Sequence, residues 1–193
     1  MNFIFDVGNV LIAYNPELFL RSLLNDPRQE EKMNEIIFSG PEWKKLDEGT
    51  ITQEEASMVF CEREPEWKEI IEKVMSSLPG VLTPIFETIE LLPAIKKAGH
   101  KLFYLSNCSR ELSQHILKEY SFFSLFDGGI FSCDVRLLKP SPEIFLYFLN
   151  KYQLAAEDCL FFDDVEQNVD AAEKLGIKGV LFRSAQDAKQ FLQ

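Results

Sequence analysis

Five short runs of almost continuously apolar residues recur along this chain, and they constrain its fold more than any other feature. We interpret them as strands at residues 2–6, 101–105, 129–131, 159–162 and 179–182. Strands that are apolar along their whole length are typical of sheets covered on both faces. Helical patterns lie between the later runs, and one of these helices starts at Ser141-Pro142-Glu143. From about Leu82 onward the sequence therefore predicts a parallel α/β sheet.

The pattern changes between residues 15 and 79, where amphipathic helices replace strands. Thr52 to Glu55 form a capping box at one helix start. One helix carries an apolar stripe made of Trp67, Ile70, Ile71, Val74, Met75 and Leu78. Turn residues bound this region at Tyr14-Asn15-Pro16 and at Pro79-Gly80. We therefore predict a small all-α module at residues 15–79, inserted after the first strand and covering the carboxyl end of a sheet built from residues 1–14 and 80–193.

Composition excludes several classes of partner. The net charge of -11 disfavours binding to nucleic acid or to an anionic membrane surface. No stretch approaches the ~20 apolar residues of a membrane span, and the first apolar run is not preceded by a basic segment. The four cysteines have no paired spacing, which favours reduced thiols. We expect a soluble, cytoplasmic protein; the sequence leaves its oligomeric state open, and a monomer is compatible with it.

Reactive side chains occur in four separate segments, three of them at or directly after the carboxyl ends of predicted strands. They are Asp6, Ser106 with Asn107, Lys139, and Asp163 with Asp164. Each alone is compatible with an ordinary turn or helix cap. Together they supply what phosphoryl transfer needs: a carboxylate that attacks phosphorus, a hydroxyl and an ammonium that neutralise phosphoryl oxygens, and further carboxylates that hold Mg²⁺.

These four segments resemble the motifs of the haloacid dehalogenase-like (HAD) hydrolases, in the family's order, from Asp6 to Asn168. The resemblance is to the subfamily with a helical cap after the first strand. It implies a Rossmann-like, doubly wound parallel sheet with a small inserted helical cap. It also implies a Mg²⁺-dependent phosphatase that acts on a small phosphorylated metabolite.

The resemblance assigns a role to each motif residue. Asp6 corresponds to the nucleophile that becomes phosphorylated, and Ser106 to the phosphate-binding hydroxyl, with Asn107 beside it. Lys139 corresponds to the lysine of the third motif. In the cap, Trp43 and Glu48 lie in or near predicted loops between helices. They are candidates for substrate selection, since caps of this family use equivalent loops for that purpose.

The same resemblance implies a metal site. Its ligands would be Asp6, Asp164 and the backbone carbonyl of Gly8, with Asp163 as a supporting or alternate ligand. Asn168 falls where other members carry a further acid.

Gly8 is the departure from the family pattern, because the usual motif has a second Asp there that protonates the leaving oxygen and later activates water. Loss of a general acid typically costs about 10²–10⁴ in rate. Three outcomes are compatible: a weak or inactive relative, a substrate whose leaving group needs little protonation, or replacement by another group such as a cap residue or water.

The Asp6-Val7-Gly8-Asn9-Val10 segment resembles a bacterial branch that contains a sugar-1-phosphate phosphatase. This likeness favours the second outcome, with glucose-1-phosphate as an example of substrate. Two alternatives stay open: a binding or regulatory protein on the same fold, and a 2-haloacid dehalogenase, for which paired acids at 163 and 164 would be unusual.

Overall fold

The structure is a computed structural model, and it describes residues 1–192. Its strands are β1 (Asn2–Phe5), β2 (Ile12–Tyr14), β3 (Leu82–Pro84), β4 (Lys101–Ser106), β5 (Gly128–Phe131), β6 (Cys159–Asp163) and β7 (Lys178–Leu181). Its α-helices are α1 (Pro16–Leu24), α2 (Pro27–Met33), α3 (Pro41–Glu48), α4 (Gln53–Arg63), α5 (Lys68–Ser76), α6 (Phe86–Ile89), α7 (Leu92–Lys97), α8 (Arg110–Glu119), α9 (Ser132–Val135), α10 (Pro142–Tyr152), α11 (Glu166–Glu173) and α12 (Gln186–Lys189). A π-helical turn covers Asn34–Phe38, and short 3-10 turns cover Pro65–Trp67, Leu78–Val81, Ser121–Leu125 and Ala156–Asp158.

The main sheet has five parallel strands in the order β5-β4-β1-β6-β7. All five predicted strands are present; each bound differs from the prediction by at most one residue, and the last strand is shifted by one residue at both ends. Phe3 and Phe5 of β1 enter one hydrophobic cluster, while Ile4 enters a second cluster on the opposite face with Phe145 of α10. Both faces are thus covered, which confirms the predicted doubly wound fold and explains why the strands are apolar throughout.

A second, two-stranded sheet was not predicted from the sequence. β2 and β3 pair antiparallel, with Ile12 opposite Pro84 and Tyr14 opposite Leu82. Each strand is only three residues long, and β3 contains a proline, so neither has a recognisable strand pattern. This ribbon joins the two segments of chain that lead into and out of the helical region.

The helical region contains α1 to α5, and α5 covers the middle of the predicted apolar stripe, whereas Trp67 and Leu78 lie in the flanking 3-10 turns. Both halves of the Thr52–Glu55 capping box are present, and Ile71, Val74 and Met75 of α5 are buried. One hydrophobic cluster extends from the sheet face into this region, where it includes Phe60 of α4. Among residues 1–192, no helix has both the length and the apolar character that a membrane span requires.

One local prediction needs correction. Ser141 lies at the N-cap position of α10, as expected, but its hydroxyl bonds to the side chain of Glu143 and caps no backbone N–H.

Candidate active site

The carboxyl ends of the central strands bring together side chains that are distant in sequence. Phe5, the last residue of β1, is paired with Tyr104 of β4 and with Phe162 of β6. Asp6 therefore lies level with Asp163. The chain runs from β1 to β4 and β5 on one side and later to β6 and β7 on the other. This edge is thus the switch point where open α/β sheets bind ligands.

Lys139 is at the centre of a buried ion cluster at this edge. Its Nζ lies 2.9 Å from Asp6 Oδ1 and 2.6 Å from Asp163 Oδ2. Burial alone would lower the pKa of Lys139, but the two carboxylates outweigh that effect and raise the pKa above its ordinary value. The site therefore contains a fixed positive charge, which a bound anion requires in a chain of net charge -11.

Asp6 is buried yet retains the character of a base. Burial is the main cause that raises the pKa of Asp6 from 3.8 to about 6, and the charge of Asp163 adds to the rise. Lys139 and the Ser106 hydroxyl act in the opposite direction. The Val7 N–H also donates to Asp6 Oδ1 at 2.7 Å, which fixes the orientation of the carboxylate. At neutral pH the side chain is mostly ionised, as a carboxylate nucleophile must be.

Asn107 holds the segment that carries Lys139. Its Oδ1 accepts a hydrogen bond from the Lys139 N–H, and its Nδ2 donates to the Lys139 carbonyl, both at 2.9 Å. Asn107 also lines the cavity described below. The contacts that Asn107 makes in the structure therefore position Lys139, and its predicted contact with phosphate would be an additional role.

Asp163 is fully buried, and both of its oxygens are engaged. Oδ1 accepts from the Val165 N–H at 2.9 Å, Oδ2 accepts from Lys139, and Asn168 Nδ2 donates to both oxygens at 3.0 Å. Asn168 thus acts as a donor that holds Asp163, a role that a carboxylate at this position could not fulfil. The arrangement orients Asp163 toward Lys139.

Asp164 is half-buried and receives a hydrogen bond from Asn9, whose Nδ2 lies 3.1 Å from Asp164 Oδ2. Asn9 has a φ of 54°, in the left-handed region that Asn tolerates, and its Oδ1 accepts from the Tyr14 N–H at 3.0 Å. Sequence reasoning did not identify Asn9. The available signal was the Gly8-Asn9 pair two residues after Asp6, which is typical of a tight turn.

The carboxylates at this edge have the chemistry and the spacing of a cation site. Oxygens of Asp6, Asp163 and Asp164 all lie within 4.8 Å of one another, and Lys139 is the ammonium that offsets them. Carboxylate and carbonyl oxygens are the ligands that Mg²⁺ prefers. Within residues 1–192, no hydrogen-bond donor reaches the Gly8 carbonyl. Since Asp163 is occupied by other partners, the donor set with free capacity is Asp6, Asp164 and the Gly8 carbonyl.

A cavity of about 120 Å³ opens beside these groups. Gly8, Ser106 and Asn107 line it from the sheet edge, and Trp43 and Asp47 line it from α3. A Cβ at position 8 would have no neighbour within 4 Å, so the absent side chain leaves open space there.

The structure separates the two residues predicted to select substrate. Trp43 lines the cavity and packs against Phe38 and Tyr14, with ring centroids 4.9 and 6.0 Å away. Glu48 does not line the cavity, whereas its neighbour Asp47 does. Successive side chains of a helix point about 100° apart. The sequence pattern alone therefore does not determine which of the adjacent acids, Asp47 or Glu48, faces the cavity.

The family model for haloacid dehalogenase-like hydrolases matches residues 1–176 of this chain. The chain belongs to this family. The resemblance predicted from the four motifs is thereby confirmed, and the protein is a HAD-like hydrolase.

Two curated relatives of this HAD-like hydrolase are named as phosphatases. It is 25% identical over 178 residues to the sesquiterpene phosphatase astK of Aspergillus oryzae, a match that covers 92% of this chain and 87% of that protein. It is 26% identical over 130 residues to a phosphorylated carbohydrates phosphatase of Thermotoga maritima, with 66% of this chain and 57% of that protein covered.

A solved structure shares the fold over the whole chain. The HAD family enzyme bt-2542 of Bacteroides thetaiotaomicron, in complex with magnesium and inorganic phosphate, superimposes with a TM-score of 0.76 at 20% identity. The match covers 100% of this chain and 98% of that one. The HAD-like hydrolase therefore shares the fold of that structure along its whole length.

Proposed function

We propose that this HAD-like hydrolase is a Mg²⁺-dependent phosphatase that forms an aspartyl phosphate on Asp6. The observation that carries the proposal is the Lys139 ammonium, held between Asp6 and Asp163 at 2.9 and 2.6 Å. A buried cation beside an ionised carboxylate provides both a nucleophile and a countercharge for its anionic substrate.

The donor set of Asp6, Asp164 and the Gly8 carbonyl supports a magnesium cofactor. When bound, Mg²⁺ offsets the repulsion between the carboxylate nucleophile and the phosphoryl oxygens. The acidic cluster also argues against a haloacid dehalogenase, because a substrate without phosphate has no need of a metal. The magnesium and phosphate in the complex of bt-2542 and the names of the two curated phosphatases agree with this choice.

The chain's own residues divide the work of the reaction. Asp6 attacks phosphorus, while Ser106 and Lys139 hold the oxygens of the transferred group. Asp163, Asn107 and Asn168 position Lys139 through the hydrogen bonds described above. Water then hydrolyses the aspartyl phosphate and regenerates the Asp6 carboxylate.

The substrate we propose is a small phosphorylated metabolite of the sugar 1-phosphate kind, such as glucose-1-phosphate. Position 8 offers no proton donor, and a hemiacetal oxygen leaves more readily than an ordinary alkoxide. The cavity of about 120 Å³ is smaller than the ~300 Å³ at the low end for ligand pockets. A sugar would therefore enter only if residues 15–79 act as a cap that opens and closes over the site.

A phosphatase screen tests this proposal. Purified protein is assayed for phosphate release from glucose-1-phosphate, glucose-6-phosphate and p-nitrophenyl phosphate, with Mg²⁺ and with EDTA. We expect Mg²⁺-dependent turnover, with kcat/KM for glucose-1-phosphate well above that for glucose-6-phosphate. Equal turnover of both sugars would refute the substrate, and absence of turnover with all three would refute the phosphatase.

The Asp6→Asn variant is the control for the nucleophile. It should lose activity and should fail to bind beryllium fluoride as an acyl-phosphate mimic. An active Asp6→Asn variant would contradict the aspartyl phosphate mechanism. If the wild-type protein bound beryllium fluoride but released no phosphate, a binding or regulatory role would be favoured.

A further inference from the structure

Asp47 is a carboxyl group at the active-site cavity that the reaction described above does not use. It lies near the end of α3 and lines the cavity together with Gly8 and Ser106. Within residues 1–192, its carboxylate has no salt bridge and no hydrogen bond. The other acids near the phosphate-binding edge are engaged by Lys139, Asn168 or Asn9, so Asp47 differs from them in having no partner.

The backbone around Asp47 is anchored to the sheet edge. The Ser132 hydroxyl donates to the Asp47 carbonyl at 2.5 Å and accepts from the Cys108 N–H at 2.9 Å. Cys108 is two residues beyond Ser106. Gly49 has a φ of 66°, and a Cβ there would overlap the backbone of Cys133, so this end of α3 packs directly on α9. The backbone of Asp47 is therefore held in place relative to the phosphate-binding edge.

The surroundings keep Asp47 able to exchange a proton near neutral pH. Burial, followed by the charge of Asp6, raises the pKa of Asp47 from 3.8 to about 7. The other titratable groups that sense its charge are the Tyr14 hydroxyl and the thiols of Cys108 and Cys133, and all three have pKa values raised above their ordinary range. No ammonium or guanidinium appears among the groups that act on Asp47.

We propose that Asp47 is the general acid and base of this hydrolase, acting from the helical region across the space that Gly8 leaves open. This inference rests on the proposed phosphatase function. A positioned proton donor within the cavity is what the departing oxygen requires, and Asp47 is the carboxyl that lines it.

The two half-reactions balance with Asp47 as proton carrier. An oxygen lone pair of Asp6 forms a bond to phosphorus, the ester P–O bond breaks, and the departing oxygen takes its electron pair and a proton from Asp47. The products are an alcohol and an aspartyl phosphate. Asp47, now a carboxylate, then removes a proton from the water whose oxygen attacks phosphorus. The bond from phosphorus to Asp6 breaks, Asp6 regains its electron pair, and inorganic phosphate leaves.

Leaving-group dependence tests this role. We compare kcat/KM for p-nitrophenyl phosphate, whose phenolate leaves without a proton, with kcat/KM for β-glycerophosphate, whose alkoxide requires one. Asp47→Asn should lower kcat/KM for β-glycerophosphate by about 10²-fold or more and should affect p-nitrophenyl phosphate at least tenfold less. The kcat for both substrates should fall, because hydrolysis of the aspartyl phosphate also loses its base.

Two further variants make the test specific. Asp170→Asn makes the same chemical change on the exposed face of α11 and should leave all rates unchanged. Gly8→Asp, combined with Asp47→Asn, places a carboxyl in open space at the same cavity and should restore part of the lost kcat/KM for β-glycerophosphate.

The outcomes separate this inference from the function on which it rests. If the wild-type protein hydrolyses neither of these substrates and does not hydrolyse glucose-1-phosphate or glucose-6-phosphate, the phosphatase itself is refuted. If the wild-type protein is active and Asp47→Asn keeps its rates, or loses both values of kcat/KM equally, Asp47 is not the proton donor, and the phosphatase stands.

Discussion

The Asp47→Asn substitution removes a carboxyl that the fold holds in an unfavourable environment, so it should stabilise the protein while slowing it. The pKa of Asp47 is about 7 in the folded chain, against 3.8 as its ordinary value. Between these values the folded state keeps a proton that the unfolded state has released. The stabilisation from that bound proton is fully present below pH 3.8 and is lost as the pH rises through about 7.

The size of the effect follows from the same values. A difference of about three pKa units corresponds to about 4 kcal/mol once Asp47 is fully ionised, and this is an upper limit because the side chain is only half-buried. Asparagine is neutral throughout. The free energy of unfolding of the variant should therefore exceed that of the wild type by an amount that grows by about 2 kcal/mol between about pH 5.5 and pH 8. For a chain of this length, that is about 4–8 °C in Tm.

Urea denaturation followed by circular dichroism measures this difference. Wild type, Asp47→Asn and the exposed control Asp170→Asn are compared at about pH 5.5, 6.5 and 8 in EDTA, so that no divalent cation contributes. The control should track the wild type at every pH. A stability difference that does not change with pH, or an Asp47→Asn variant that is less stable at pH 8, would refute the reasoning and would mean that Asp47 titrates as an ordinary exposed acid.

Three further predictions follow from the site. Lys139→Ala should lower the free energy of unfolding by about 3–5 kcal/mol, because it leaves two buried carboxylates without a cation. Thermal denaturation should show a smaller loss of stability when Lys139→Met is combined with Asp163→Asn. An equal loss in the two proteins would contradict the ion cluster. Asn168→Asp should be less stable than Asn168→Ala in urea denaturation with EDTA, because it places a second carboxylate beside Asp163. The reverse order would refute the role of the Asn168 amide as a hydrogen-bond donor. Gly8→Asp should change the free energy of unfolding by less than about 1 kcal/mol. Gly129→Ala, in contrast, should fail to fold normally, because its Cβ would overlap the ring of Tyr104. Circular dichroism distinguishes these outcomes.

The elements that carry a strong periodic signal were predictable. The strand that ends before Asp6 and the helix that begins after Thr52 lie where apolar runs and capping residues indicate. The β2–β3 ribbon was not predictable, because a three-residue strand with a proline acquires its structure from its partner strand. The same holds for the hydroxyl of Ser141, which found a side-chain partner where a backbone cap was expected.

The candidate site was predictable to the level of residue type and strand end. Asp6, Ser106, Lys139 and Asp163 occur in motifs whose order indicates phosphoryl transfer. The contacts among these residues could not be derived from their spacing in the sequence. Lys139 contacts Asp6, which is 133 residues away along the chain, and Asp163, which is 24 residues away.

The sequence by itself determined the family, the α/β sheet and the acids at its edge, because hydrophobic periodicity and the choice of reactive residues are local properties of the chain. Only the tertiary structure decided the surroundings of these acids and of Asp47: Asp163 accepts from Lys139, Asp164 accepts from Asn9, and Asp47 lines the same cavity as Gly8. The physical reason is that burial, charge and hydrogen bonding depend on neighbours from remote segments. The pKa of a carboxyl and its freedom to move a proton are therefore set by the packing of the whole fold.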